Sequence, residues 1–520
     1  MMKKRPHIII FNPDEMRADT MAHLGNPAAI TPNLDEFART DGVSFRHAFC
    51  QNPVCVPSRC SFFQGLYPHV NGHRTMAHLL RPGEPSMFRE MKDAGYYVWM
   101  NGRNDLYAAQ YQGWIESNAD EVFYGGDCPK APGPEKENPR GVQGDASFYS
   151  HFEGKLRLDE HGKNYTADDE AVDALINRVL NPIDDRPICA FVGLLYPHTP
   201  YGIEEPYFSA IDRSKVPSRV RPEECIGKPA MEEELRKMQQ MQNYTEEEWT
   251  ELRAVYLAMC TKVDDQFGRL CNELKKAGIY DDCAIFVLSD HGDFTGDYGI
   301  PEKAQNCFEE CLVSVPFLIK PPAWESVDAG VSDSLVELVD FYATVMDYAQ
   351  TAPTHTHFGK SLRPIIEDRS KKLRQYVFCE GGRMPGETHC DEWHINGPNG
   401  SPKDFVYWPR QTAQLNDRYK FITRSQDMDE FYDLEKDPGE RFNQINNPQY
   451  KGQIYTMQQA MLKWYQETCD IVPWDFDARF NKELLWAKIK SSVPPEKAEE
   501  VKSILEKDPS LRAVRQYLRG

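Results

Sequence analysis

No stretch of this 520-residue chain is apolar over the roughly 20 residues that a bilayer-crossing helix needs. The start, MMKKRPHIIIFNPDE, carries an apolar run too short for a signal peptide, so the expectation is a soluble, cytoplasmic protein with no membrane partner. The 14 cysteines form no C-x-x-C pair, which excludes the common zinc and dithiol redox motifs and suits a reducing compartment. The N-x-T matches at Asn164 and Asn243 then carry no glycosylation meaning. Positive charge is in deficit: 60 Lys and Arg against 80 Asp and Glu leave a formal charge of −20. Long-range repulsion excludes a nucleic-acid binder, and an anionic substrate would need a locally basic pocket. Internal repeats and low-complexity tracts are also missing.

What is present is enough apolar residue, 40%, to bury a large core in more than one domain. Short apolar runs at 8–11, 96–100, 188–195 and 284–288 alternate with amphipathic stretches. They predict an α/β domain with a mostly parallel central sheet sandwiched by helices. The best-marked helix lies between a capping box at Thr245 and Glu248 and a stop at Gly278. Within it Trp249, Leu252, Tyr256, Met259, Val263, Phe267, Leu270 and Leu274 recur at steps of three and four as one apolar stripe. A second helix, 167–180 behind a Thr166 cap, is expected to bury Val172, Leu175, Ile176 and Val179. Residues 125–144, rich in Pro, Gly and charge, predict a long surface loop. The expected division is a catalytic α/β domain over 1–370, closed by the charged run 367–372. A smaller C-terminal α+β subdomain with an antiparallel sheet follows over 371–480, read from 376–379, YKFIT, DEFYDL and the Asp437-Pro438-Gly439 turn. A helical tail over 481–520 is a candidate contact in an oligomer.

In open α/β sheets ligands bind beyond the carboxyl ends of the strands. The first run leads to Asp14 and Glu15, and the last to Ser289, Asp290, His291, Gly292 and Asp293. Two such ends side by side form an oxygen-rich site for a hard divalent cation. The run at 96–100 leads to Asn101, Gly102, Arg103, Asn104 and Asp105. The run at 188–195 leads to His198 between Pro197 and Pro200, a histidine held rigidly at the sheet edge and suited to act as a general acid. Lys303, in EKAQNCFEECLVSVP, adds a cation.

The segment Cys55-Val56-Pro57-Ser58-Arg59 places a thiol beside a proline that can open a helix, with Arg59 one turn on. Helix dipole and guanidinium both favour an anionic or chemically transformed sulfur. C-x-P-S-R followed by x-x-x-F-x-G resembles the signature of the formylglycine-dependent (type I) sulfatases of the alkaline phosphatase-like superfamily. The resemblance runs from Asp14-Glu15, through Gly102-Arg103 and Pro197-His198-Thr199-Pro200, to Ser289-Asp290-His291-Gly292 and Lys303 with Phe308-Glu309. It ends at the hairpin Glu430–Leu434 with Asp437-Pro438 and Glu440.

The resemblance implies an enzyme that hydrolyses sulfate esters of small molecules, sulfated sugars being the expected substrates, and the acidic charge balance points to exo-action. It implies that a maturation enzyme converts Cys55 to formylglycine, whose hydrated aldehyde attacks sulfur and whose second hydroxyl lets the covalent sulfate be eliminated. It also implies one divalent cation, calcium, held by Asp14, Glu15, Asp290 and His291. Arg59 would orient the hydrated aldehyde, Arg103 and Lys303 would bind sulfate oxygens, and His198 would protonate the leaving oxygen. Four positions depart from the usual pattern: Glu15 replaces Asp or Gln, Arg103 replaces lysine, Asp105 stands where a second histidine is common, and His291 replaces a frequent asparagine. The last also occurs in relatives that hydrolyse phosphonate monoesters and phosphodiesters, which keeps that activity open as an alternative. Further substrate contacts are expected among Asp105, His69, Asn71, His73 and Arg74, and among Arg383, His389 and His394.

Overall fold

The computed structural model describes residues 4–126, 133–136, 152–160, 162, 164–239, 243–382, 384, 411–472, 480–508 and 511–519. They form two compact units, Met1–Pro353 with His357–Asp470, and Thr354–Thr356 with Ile471–Gly520.

The strands of the larger unit are β1 (His7–Asp14), β2 (Val43–Phe49), β3 (Tyr97–Asn101), β4 (Glu121–Phe123), β5 (Phe152–Lys155), β6 (Ile188–Pro197) and β7 (Tyr201–Ile203). They continue with β8 (Cys283–Leu288), β9 (Phe317–Lys320), β10 (Gly330–Glu337), β11 (Val377–Gly381), β12 (Gln411–Leu415), β13 (Tyr419–Arg424) and β14 (Glu430–Asp433). Eight form one sheet in the order β10-β2-β9-β8-β1-β6-β3-β4, parallel throughout except β9, which opposes β2 and β8. Strands β11 to β14 form a separate antiparallel sheet, and β5 pairs with β7. The α/β class and the small antiparallel sheet read from the sequence are both present.

Alternate residues of β1 divide between two cores, as strand geometry requires. Ile8 and Ile10 face a core with Phe62, Phe63 and Phe341; Ile9 and Phe11 face another with Val172, Leu252, Val255 and Phe267. The sheet is therefore buried on both sides, which explains why its central strands read as continuous apolar runs.

The long helix spans Glu246–Lys276, with its capping box at Thr245 and Glu248 formed and Gly278 left-handed just beyond it. All eight stripe residues are buried, but so are Lys262, Asp264 and Gln266. Neighbours on its other sides account for this. Asp264 accepts hydrogen bonds from the backbone of Asn33 and Leu34, capping the Pro32–Thr40 helix, and Lys262 donates to Glu204. The helix Ala167–Leu180 buries Val172, Leu175 and Val179, while Ile176 is half-buried.

Among the described residues no helix is long and apolar enough to cross a membrane. The smaller unit packs helices Lys482–Ile489, Ala498–Lys507 and Leu511–Arg519 around Leu485, Val501, Leu505 and Val514. Most of the expected surface loop at 125–144 lies outside the described residues.

Candidate active site

Strands β8, β1, β6 and β3 are neighbours and parallel, so their carboxyl ends meet at one edge of the sheet. That adjacency brings Asp290 and His291, Asp14 and Glu15, His198, and Arg103 together from four distant segments. Glycines allow the close approach. A Cβ at Gly193 of β6 would lie 2.3 Å from the Arg103 carbonyl oxygen, and one at Gly292 would lie 1.9 Å from that of Cys311. Asn101 locks β3 to β6 by donating to the Gly193 carbonyl and accepting from its N–H. Asp168, in the first turn of its helix, accepts from the N–H groups of Leu195 and Tyr196 and fixes the end of β6.

Cys55 is the first residue of a helix, Cys55–Gln64, in which all ten residues are buried. Its Sγ lies 3.2 Å from His291 Nε2 and 3.6 Å from Asp14 Oδ1. Ligand atoms of Asp14, Cys55, Asp290 and His291 all fall within 4.8 Å of one another, and those of Asp14, Glu15 and His198 form a second such group. His291 Nδ1 donates to the Gly292 carbonyl oxygen at 2.9 Å. A carbonyl only accepts, so in the neutral ring the lone pair belongs to Nε2, which faces Asp14 Oδ1 at 3.7 Å and Asp290 Oδ1 at 3.9 Å. Burial and the nearby Lys303 hold this imidazole below its ordinary pKa.

The cations approach from the other side. Arg59 Nη2 bonds Asp14 Oδ2 at 2.9 Å, Arg59 Nε bonds Asp290 Oδ2 at 2.8 Å, and Arg103 Nη2 bonds Asp14 Oδ2 at 2.7 Å. Burial, the largest single effect on Asp14, opposes ionisation, but Arg59 and Arg103 outweigh it and hold the carboxyl well below the usual range. The Cys55 thiol moves the opposite way from the sequence expectation. Burial and the charge of Asp14 push it well above its ordinary pKa, because Arg59 is already neutralised by two carboxylates. In the encoded state the sulfur is a thiol.

Lys303 is buried and donates to Glu15 Oε2 at 2.9 Å and to His198 Nε2 at 2.7 Å. His198 Nδ1 donates to the Thr199 carbonyl, and burial with the Lys303 charge lowers its pKa to about 4. Cis peptide bonds at Tyr196–Pro197 and Thr199–Pro200 flank it. Glu15 accepts from both the backbone and the side chain of Lys303, so it stands with Asp14 and His198 rather than with the Asp290–His291 group. Glu15, Asp105 and Glu302 all have positive φ, a concentration of left-handed non-glycine residues around one site.

The other expected substrate contacts are placed differently. His69 lies buried between Glu380 and the Thr468 carbonyl. Buried His73 meets the His78 carbonyl and Glu84, and Arg74 donates to the Gly382 carbonyl. Asn71 ends a four-residue helical turn. Asp105 does join the group, 3.8 Å from Arg59, with 35% of its side chain exposed. Arg383, His389 and His394 lie outside the described residues. Sequence reasoning missed Asp168, which shows there only as an acid in a helix's first turn. It also missed Ser58, which donates to the Asp290 carbonyl, and Tyr256, which donates to that of Glu15.

The family model described as Sulfatase matches residues 6–351. An arylsulfatase of Clostridium perfringens is 24% identical over 510 residues, covering 88% of this chain and 94% of that protein. Among solved structures, the phosphonate monoester hydrolase of Agrobacterium radiobacter aligns with a TM-score of 0.69 at 19% identity, over 89% of this chain and 96% of its own. An enzyme solved with its substrate D-glucosamine-2-N,6-O-disulfate aligns with a TM-score of 0.68 at 20% identity, over 89% and 98% of the two chains.

Proposed function

The chain belongs to the sulfatase family and is a sulfuric ester hydrolase; from that premise we propose that it desulfates small sulfated sugars, acting at an exposed sugar end through a formylglycine made from Cys55. The observation that carries this reading is the convergence of Cys55 Sγ, Asp14 Oδ1 and His291 Nε2 on one buried gap. The solved relative with a disulfated glucosamine supports a sugar substrate, and the charge of −20 disfavours a grip along a polyanion.

Asp14, Asp290 and His291 would hold a divalent cation, calcium by resemblance, with Glu15 as an outer member beside Asp14. Two carboxylate oxygens and one bare imidazole nitrogen facing the same gap fit a divalent cation; the resemblance, not the donor set, points to calcium. When bound, the cation supplies charge neutralisation for the sulfate and acidifies the attacking hydroxyl. Arg59 holds Oδ2 of both aspartates, which keeps each Oδ1 turned to the gap. A formylglycine-generating enzyme must modify Cys55, since the protonated thiol itself is not the nucleophile of this chemistry.

Arg103 and Lys303 would bind the sulfate oxygens. The approaching anion raises the proton affinity of His198, which takes a proton from solvent at Nε2 and passes it to the leaving oxygen while Lys303, 2.7 Å away, keeps its charge for the sulfate. The catalytic part is proposed to span 1–370, the subdomain 371–480 and an oligomer-forming tail 481–520. The free thiols suit a reducing cytoplasm.

The test is a desulfation screen over sulfated sugars differing in ring and sulfate position, with Cys55 conversion verified by mass. His291 and the likeness to a phosphonate monoester hydrolase favour one second reading, hydrolysis of phosphonate monoesters or phosphodiesters. Faster turnover of an aryl phosphonate than of the aryl sulfate would replace the first reading by the second.

A further inference from the structure

Nearly every charged or ligating group in the catalytic cluster is sealed: Asp14, Glu15, Arg59, Asp290 and His291 have fully buried side chains, and Lys303 is 1% exposed. Three groups line the opening: Arg103 at 32%, Asp105 at 35% and His198 at 19% side-chain exposure. Arg103 and Asp105 give the rim a cation and an anion two residues apart.

The carboxylates behind the rim are matched. Asp14 is held by Arg59 and Arg103, Asp290 by Arg59, Glu15 by Lys303, and Glu302 takes a hydrogen bond from Thr199 Oγ1. Among the described residues Asp105 makes one ion pair, with Arg59 at 3.8 Å, and that guanidinium already donates to Asp14, Asp290 and the Asn104 carbonyl at shorter range; the charge of Arg103, itself bonded to Asp14, attracts it as well. A carboxylate at the mouth of a sulfate-binding pocket repels the substrate's anion unless the substrate brings a compensating charge. Arg103 and Asp105 together fit an ester whose sulfate is anionic and whose alcohol carries a cation nearby.

Resting on the sulfatase reading above, we infer that Asp105 is a specificity-determining residue, and that the preferred substrate is a sulfate ester of an amino alcohol, such as an amino sugar with a free ammonium group near the ester. The ammonium donates to Asp105 while Arg103 and Lys303 take the sulfate. Amine-bearing and neutral sulfates are then discriminated by an ion pair rather than by shape.

The experiment uses the full chain with Cys55 converted and calcium supplied. Hydrolysis of 4-nitrophenyl sulfate is followed while glucosamine 3- or 6-sulfate, or the corresponding glucose sulfates, compete. The pairs differ only in an ammonium against a hydroxyl, and competition reports binding whether or not the sugar turns over. For at least one sulfate position the glucosamine ester should compete at about tenfold lower concentration than its glucose counterpart. Asp105→Asn should bring that ratio to within about twofold, whatever its absolute rate, and Asp105→Glu, which restores the charge, should recover the preference. Equal competition by amine and neutral esters in the wild type, no competition by any sugar sulfate, or a preference surviving in Asp105→Asn would each overturn the inference. A matured wild type that leaves 4-nitrophenyl sulfate intact would instead overturn the sulfatase reading beneath it.

Discussion

Two clusters of buried acid in this molecule look alike by density and differ in what their cations do. Glu232, Glu309 and Glu430 bring ligand atoms within 4.8 Å of one another, as do Asp14, Cys55, Asp290 and His291. In the glutamate cluster a side chain occupies the centre: Lys228 Nζ lies 3.1 Å from Glu309, 3.4 Å from Glu232 and 4.0 Å from Glu430. Arg424 completes Glu430, and Arg236 reaches Glu232. In the aspartate cluster Arg59 and Arg103 bind only the outer Oδ2 atoms, and the inner atoms converge on a gap. Buried carboxylates thus form a structural lock when the cation arrives on a side chain, and a site when the cations stop at the back.

The sharpest way to test the comparison is at the nucleophile. Cys55→Ser, expressed with the maturation enzyme, should lower multiple-turnover sulfate hydrolysis about a thousandfold or more. Its melting temperature should stay within about 2 °C of wild type. A large drop in melting temperature would show Cys55 to be a packing residue. Next in size is the cation. After chelation, calcium should restore activity and raise the melting temperature of the wild type, because a ligand bound only by the folded state stabilises it. Asp290→Asn should lose about a hundredfold in activity together with that thermal response, while Glu232→Gln should keep both. A response abolished by Glu232→Gln and kept by Asp290→Asn would reverse the two assignments. Third, Lys228→Met removes the central cation of the lock and should lower stability by about 3–5 kcal/mol. The turnover of the remaining folded enzyme should stay within about threefold.

Much of the aspartate site was legible because its residues follow apolar runs, and parallel strands deliver their carboxyl ends to one edge. The partners were not legible. Nothing in the spacing of Cys55 and Arg59 shows that the guanidinium is neutralised by Asp14 and Asp290, so the expected lowering of the thiol pKa became a rise. Glu15 follows Asp14 directly, yet its left-handed backbone and Lys303 place it in the second ligand group with His198. His69, His73 and Arg74 follow the signature helix closely, but buried carbonyls and carboxylates had already engaged them. Strand β10, GVSDSLVE, alternates too weakly to declare itself, and its place beside β2 follows from tertiary packing. The glutamate lock was invisible because Lys228, Glu309 and Glu430 are distant in sequence, and the motifs that hold Glu309 and Glu430 do not show that they meet around Lys228.

The smallest expected effect separates the clusters by proton rather than by metal. Burial pushes Glu232 up to about 8 despite the pull of Lys228, aided by the charge of Glu309, while Lys228 holds Glu309 down to about 2 against its own burial. The pair therefore keeps one proton near neutrality. The unfolded chain ionises Glu232 near its ordinary 4.5, so between that value and about 8 the folded state binds the extra proton. Stability from this group is fully present below 4.5 and is lost as pH rises toward 8. Glu232→Gln replaces a neutral carboxyl by a neutral amide of similar shape. Its melting temperature at pH 5 should lie within about 2 °C of wild type, and its decline toward pH 8 should be shallower. Parallel profiles for the two proteins would mean that Glu232 is ionised in the fold. The lock would then hold three charges rather than two and a proton, which would bring its electrostatics close to those of the aspartate site.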